Sequence, residues 1–275
     1  MVNPTVSIPG ATMTYSVRTA GCGVGYASFG LVLALAFLPY VLSVAASQKP
    51  HVLMVVADDL GRNDLGYFNG GKSETPAMDA LLSDGIFLAH YYSFKVCAPT
   101  RTSIMTGRYA WRTGFYEMVD DGGHCVNQNY TMLPALLRAN GYATHAIGKW
   151  NVGGIVNACT PTYAGGFDSF LGYYAACQDD YFTHNGSCTS SSGGVDMSYS
   201  VGHDGEISGA KGYSGVYSTH IFRDRAVDVV MQHAAAATSD TIQPLFMYLA
   251  FQNVHLACGG AKKKKGGKGG IQGAS

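Results

Sequence analysis

The chain has 275 residues, enough for one large domain or two small ones, and its 47% apolar content excludes a wholly disordered protein. The formal net charge is zero, which excludes a global field drawing it to nucleic acid or to acidic partners. Lys262–Lys265 and Lys268 gather positive charge near the C-terminus, so the chain ahead of them is net acidic.

The first element is Phe29–Ala46, an uninterrupted run without charge, preceded by Arg18 and a polar segment. It reads as a secretory signal or a signal anchor, with Val44-Ala45-Ala46 offering small residues for cleavage. Both outcomes deliver the rest of the chain to an oxidising compartment. Residues 1–47 are therefore set apart as a targeting segment, with 29–46 the candidate membrane anchor. In that compartment, the seven cysteines become candidates for disulfides. Asn129-Tyr130-Thr131 and Asn185-Gly186-Ser187 are glycosylation acceptors suited to the same place.

His51–Ala57 is short, apolar and Val-rich, and reads as a strand buried on both faces of a parallel sheet. Asp58 and Asp59 follow at its C-terminal end, where open α/β sheets place their ligands. Adjacent carboxylates repel unless a cation holds them, and Ca²⁺ or Mg²⁺ suits oxygen donors. A bare Asp-Asp pair is otherwise a turn with a helix cap. Thr75-Pro76 begins a helix with Met78, Leu81 and Leu82 on one face, and Gly85 ends it. Ile86–Tyr92 reads as a strand leading into a loop.

In Cys97-Ala98-Pro99-Thr100-Arg101, Pro99 sits where a helix takes its first residue. Ile104 and Met105 give a short apolar face before Gly107 stops the turn. Cys97 then lies among free backbone N–H groups at a helix N-terminus, which holds anions and activates thiols. Arg101, about a turn later, points a rigid fork of donors at the same place, a shape suited to an oxyanion.

Thr131 caps the next expected helix, with Leu133, Leu136 and Leu137 inward, and Tyr142–Ile147 is the strand after it. Lys149 at its end can hold an anion and neutralise developing charge. Gly166–Tyr173 is a Gly- and aromatic-rich segment packing on the core, and Gly186–Gly215 reads as a long polar surface excursion. His184, His203 and His220 lack metal-ligand spacing and read as solvated or packing residues. Tyr217–Ala237 is a helix with an apolar stripe of Ile221, Phe222, Ala226, Val229 and Val230. Pro244–Phe251 is another buried strand, followed by Asn253-Val254-His255. Residues 258–275 are Gly- and Lys-rich without hydrophobic period and are expected to be disordered.

Several of these segments together resemble the sulfatase family. Its signature is Cys-x-Pro-Ser/Thr-Arg followed by Thr-Gly-Arg, and this chain has Cys97–Arg101 and Thr106-Gly107-Arg108. Asp58-Asp59-Leu60-Gly61, Gly148-Lys149-Trp150, Gly166-Phe167-Asp168-Ser169-Phe170 and His255 also resemble family segments. The resemblance implies that Cys97 is oxidised to formylglycine by a formylglycine-generating enzyme, and that its hydrated aldehyde is the nucleophile. It implies a metal site of Asp58, Asp59 and the modified Cys97, holding Ca²⁺ or Mg²⁺. It assigns Arg101 to steadying the nucleophile, Lys149 to a sulfate oxygen and His255 to the leaving alcohol. The family has histidine after Gly-Lys-Trp, where this chain has Asn151, which cannot carry a proton between pH 5 and 8.

The implied fold is α/β and alkaline phosphatase-like: a mainly parallel sheet flanked by helices, here an N-terminal portion of the catalytic domain at residues 48–257. Family members continue with an Asp-Asn or Asp-Gln pair, a further lysine and a small sheet domain, and none follows His255 here. Spacing suggests disulfides Cys125–Cys159 and Cys177–Cys188, arylsulfatase-like members have comparable pairs, and sequence leaves the connectivity open. The implied function is hydrolysis of a sulfate ester in the secretory pathway. The alternative is a sulfatase-like fragment or binding module that retains the half-fold without turnover.

Overall fold

The computed structural model describes residues 6–8, 11–13, 48–115, 125–153, 157–174, 176–178, 180–186, 194–202, 208–209, 211–237 and 242–257. The chain divides into two compact units, Met1–Gln48 and Lys49–Ser275. In the first, β1 (Val6–Ile8) and β2 (Ala11–Met13) pair antiparallel. The apolar run Phe29–Ala46 and the tail at 258–275 lie outside the described residues. Among the described residues no helix is long and apolar enough to cross a membrane.

The second unit is built on six strands: β3 (Val52–Val56), β4 (Ala143–Lys149), β5 (Ser169–Tyr173), β6 (Ser198–Val201), β7 (Ser208–Gly209) and β8 (Leu245–Ala250). Their order is β3-β8-β4-β5-β6-β7. The first four in that order run parallel, and β6 and β7 add antiparallel. All four parallel strands thus end on one edge of the sheet, the edge that carries Asp58, Lys149, Tyr173 and His255.

Helices cover both faces. On one face α3 (Cys97–Thr106) and α5 (Leu133–Ala139) lie over the sheet, and Ala98, Met105, Ala146, Phe170, Phe246 and Tyr248 share a core there. On the other, α6 (Ser218–Ala236) brings Ile221, Phe222, Ala226 and Val229 onto Ile147, Leu171, Met247 and Leu249. The period-2 alternation of β8 accounts for this split: Phe246, Tyr248 and Ala250 face α3, and the odd-numbered residues face α6. Helices α1 (Gly66–Asn69), α2 (Pro76–Asp84) and α4 (Ala110–Thr113), with short 3₁₀ turns at Arg62–Asp64, Asn157–Cys159 and Lys211–Tyr213, make up the other described helical segments.

Several expectations fail, each for a tertiary reason. β3 is an edge strand: Val52, Met54 and Val56 pack inward, but Leu53 is 60% and Val55 54% exposed. Ile86–Tyr92 forms no strand; Ile86, Leu88, Tyr91 and Tyr92 are exposed, and among the described residues no strand pairs with them to complete a ladder. The apolar stripe of α2 is not buried either, since Met78 and Leu81 are exposed. Leu136 in α5 and Val230 in α6 likewise face solvent. The N-cap of α5 is Met132, not Thr131. α3 begins at Cys97, two residues before Pro99, because a proline in the first turn forfeits no intrahelical bond. The excursion at 186–215 contains β6 and β7, with Met197 and Ser200 fully buried. His184 is buried, with Nε2 close to the carbonyls of Tyr213 and Val216.

Small residues let three strands approach at the site edge. Gly148 has φ 95°, and a Cβ there would lie 1.8 Å from the Ala250 carbonyl oxygen. Gly148→Ala is therefore expected to destabilise the domain by about 3 kcal/mol or more, since strain and backbone clash act together. Urea unfolding followed by circular dichroism measures it, and a loss below about 1 kcal/mol would show that β4 and β8 can part freely.

Candidate active site

Three strand ends and one helix start deliver the site. β3 runs out into Asp58 and Asp59, β4 ends in Lys149, and β8 runs on to His255. Two backbone hydrogen bonds tie the first to the last: Asp58 N–H donates to the Asn253 carbonyl at 2.7 Å, and Val254 N–H to the Asp58 carbonyl at 2.7 Å. Cys97 is the first residue of α3, partly exposed, with the unsatisfied N–H groups of that helix around it.

Asp58 is the centre of the arrangement and is only 4% exposed. Its Oδ2 accepts from Lys149 Nζ at 2.6 Å and its Oδ1 from Arg101 Nη2 at 3.1 Å. Cys97 Sγ lies 3.4 Å from the same Oδ1. Burial pushes the Asp58 carboxyl up, but Arg101 and Lys149 outweigh it, and its pKa lies below the ordinary value. Two buried cations on one buried carboxylate keep it ionised and fix its direction.

Arg101 reaches the site through Asp58. It is buried, and its Nη1 donates to the Lys149 carbonyl and to the Tyr248 hydroxyl, both at 2.9 Å. The fork therefore binds Asp58, β4 and β8 together. Tyr248 was not singled out from sequence, although its place on the inner face of β8 follows from strand alternation. Tyr173, paired with Lys149 across β4 and β5, is also fully buried beside the site.

His255 is oriented by its backbone. Its Nδ1 lies 2.7 Å from the Leu256 carbonyl, so Nδ1 carries a proton and donates there. Nε2 then faces the site, 3.7 Å from Asp59 Oδ2. Tyr181 O–H donates to the His255 carbonyl at 2.5 Å. A hydrogen bond with Cys97 raises the His255 pKa, against the opposing effects of burial and Lys149. One donor atom each from Asp58, Cys97 and His255 lie within 4.8 Å of one another.

Asp59 has φ 58° and Asn151 φ 50°, in the left-handed region that Asp and Asn enter at low cost. Asp59 is exposed and projects at the mouth, whereas Asn151 is 5% exposed. The structure thus brings Asp58, Cys97, Arg101, Lys149 and His255 into one cluster with Asp59 at its rim. Cys125 and Cys159 form a disulfide with Cα atoms 5.3 Å apart. Cys177 is disulfide-bonded, and Cys188 lies outside the described residues. Asn129 is exposed and Asn185 partly so.

The donor set can be tested against an ion. Asp58 and Asp59 offer the hard oxygens that Ca²⁺ or Mg²⁺ takes. A thiol at Cys97 does not suit such an ion, whereas an oxygen-bearing form of that side chain does.

Residues 50–267 match the family described as Sulfatase. Arylsulfatase J of Mus musculus is 32% identical over 213 residues, covering 77% of this chain and 33% of its own length. Arylsulfatase A of Bos taurus is 37% identical over 148 residues, 52% of this chain and 28% of its own. Among solved structures, the PsFucS1 sulfatase from Pseudoalteromonas sp. superposes with a TM-score of 0.63 at 25% identity, covering 82% of this chain and 48% of that one. Ps i-CgsB in complex with k-i-k-neocarrahexaose gives 0.58 at 27% identity, covering 76% and 46%. The chain thus spans about a third of the length of arylsulfatase J and about half of these structures. The mainly parallel, helix-flanked sheet is the alkaline phosphatase-like fold of those neighbours. From the match over residues 50–267 together with that fold, the chain belongs to the sulfatase family.

Proposed function

We propose that this protein hydrolyses sulfate esters, in the manner of an arylsulfatase, at the cluster of Asp58, Cys97, Lys149 and His255. The observation that carries the reading is the convergence of Asp58, Cys97 and His255 donor atoms within 4.8 Å at the C-terminal edge of the sheet. In this reading Cys97 is oxidised to formylglycine by a formylglycine-generating enzyme, and Ca²⁺ or Mg²⁺ is held by Asp58, Asp59 and the oxidised residue. The hydrated aldehyde would supply a nucleophilic oxygen to sulfur, and an ion held there would supply Lewis-acid polarisation of the sulfate.

The chain's own residues do the rest. Arg101 holds Asp58 in place through their 3.1 Å contact and so acts on the ion site indirectly. Lys149 gives one N–H to Asp58 from a fully buried position, and in this reading a second would reach a sulfate oxygen admitted beside Asp58. His255 carries a proton on Nδ1 toward Leu256, so a second proton on Nε2 faces the site for the leaving alcohol. Its raised pKa supports that role near neutral pH.

In the proposed domain division, residues 1–47 are targeting sequence, 48–257 a catalytic-domain portion and 258–275 a tail. Secretory localisation is supported by the Cys125–Cys159 disulfide, which persists in oxidising compartments. Glycans at Asn129 and Asn185 fit the same route. Mass spectrometry of the peptide spanning Cys97, from protein made in a secretory host, tests the reading. A mass lower than cysteine by the thiol-to-aldehyde change supports it, and unmodified cysteine overturns it.

A second reading, ligand binding without turnover, is favoured by Asn151. A buried amide at this position donates and accepts hydrogen bonds but transfers no proton near neutral pH. Asn151→His is expected to raise kcat on an arylsulfate by about 10- to 100-fold. Histidine shares with asparagine a tolerance for the left-handed backbone found here. Steady-state assays with and without Ca²⁺ measure the change, and an unaltered kcat would remove Asn151 from the proton path.

A further inference from the structure

We propose that while Cys97 remains an unmodified thiol, Asp58, Cys97 and His255 form a binding site for Zn²⁺ in preference to Ca²⁺. This goes beyond the hydrolase reading and does not depend on it, because it concerns the thiol form alone. The three residues offer one oxygen, one sulfur and one nitrogen, all within 4.8 Å of one another. That is a zinc donor set, whereas Ca²⁺ takes six to eight oxygens.

The spacing agrees with a tetrahedral ion. Bonds of about 2.0–2.3 Å at tetrahedral angles place donors roughly 3.3–3.8 Å apart. Cys97 Sγ already lies 3.4 Å from Asp58 Oδ1. The pairs involving His255, at up to 4.8 Å, need a contraction of at most about 1.5 Å, within reach of rotation of the His255 and Cys97 side chains.

The histidine is prepared for it. A metal-bound imidazole characteristically donates its other N–H to a carbonyl or carboxylate, which fixes ring and tautomer. Here Nδ1 meets the Leu256 carbonyl at 2.7 Å, which leaves Nε2 to bind. Asp59 Oδ2, 3.7 Å from that Nε2, supplies a fourth donor or positions a water.

Charge is accommodated as well. Arg101 and Lys149 are the cations nearest the site, and both are already paired with Asp58. The Cys97 thiolate, Asp58 and Asp59 place three negative charges against those two cations. Binding forms a zinc–sulfur bond and releases the thiol proton to solvent, with no change of oxidation state.

The test uses the full chain, shown by mass to carry unmodified Cys97 and stripped of metal. Co²⁺ is titrated as a spectroscopic stand-in for Zn²⁺. The expected result is one Co²⁺ per chain, with a thiolate-to-cobalt charge-transfer band and visible bands of tetrahedral cobalt. Stoichiometric Zn²⁺ should displace it, and Ca²⁺ in about 100-fold excess should not. Cys97→Ser should abolish the charge-transfer band, His255→Ala should weaken binding by at least about tenfold, and Cys258→Ser should change neither. In the unsubstituted chain, Zn²⁺ should also protect Cys97 from alkylation, read by peptide mapping, which keeps the idea testable if a variant fails to fold. Absence of the band, its survival in Cys97→Ser, displacement by Ca²⁺, or alkylation of Cys97 unaffected by Zn²⁺ would each overturn the proposal.

Discussion

Asp58→Ala is expected to cost about 3–5 kcal/mol of folding stability, because it leaves Arg101 and Lys149 buried without a counter-charge. Both cations are almost inaccessible, at 2% and 0% exposure, and both reach Asp58 directly. For a domain of this size each kcal/mol corresponds to about 2–4 °C, so the melting temperature should fall by roughly 6–20 °C. Arg101 keeps its bonds to the Lys149 carbonyl and to Tyr248, which limits the loss. Asp58→Asn should be milder, since an amide still accepts from one of the two cations.

The pH dependence follows from the same pairing. The folded carboxyl has a pKa below its ordinary 3.8, so its contribution is complete at neutral pH. It is lost only as pH falls below 3.8 toward the folded value. Thermal unfolding of the variant and the unsubstituted chain, side by side, measures both effects. A loss under about 1 kcal/mol at neutral pH would mean that the ion pairs are screened as surface pairs are.

Cys97→Ala should separate chemistry from folding. The residue is partly exposed at the first position of α3, where alanine is compatible with the helix, so stability should change by less than about 1 kcal/mol. On the proposed reading, activity on an arylsulfate should fall by on the order of 10⁴-fold or more, because that reading makes Cys97 the precursor of the nucleophile. Measured kcat/KM for both proteins, with matched circular dichroism spectra, decides the matter. Retention of a tenth of the activity would mean that the nucleophile lies elsewhere. The two variants are thus expected to divide cleanly, Asp58→Ala losing the fold's support and Cys97→Ala losing only the reaction.

Most of the site was legible because its residues sit at element boundaries that sequence marks well. A Val-rich run ends at Asp58, an apolar run precedes His255, a glycine precedes Lys149, and Pro99 announces the start of α3. The contacts of Arg101 were not legible, for the opposite reason. Its partners, Lys149 and Tyr248, lie 48 and 147 residues away, and no local pattern reports a contact that distant. The same holds for Ile86–Tyr92, whose composition suits a strand but which pairs with no strand among the described residues.

What the sequence settles by itself is local. The 3.6- and 2-residue periods choose helix or strand, proline and glycine set the ends, and the Cys97–Arg101 signature marks the family. Such signals depend on side-chain sterics and hydrogen bonding over a few residues, so they survive in any context. Tertiary structure alone decided which face of β3 is covered, which apolar stripe stays in solvent, and that Arg101 braces Asp58. Each of those depends on which segments meet across the sheet, and burial, ion pairing and pKa exist only once they have met.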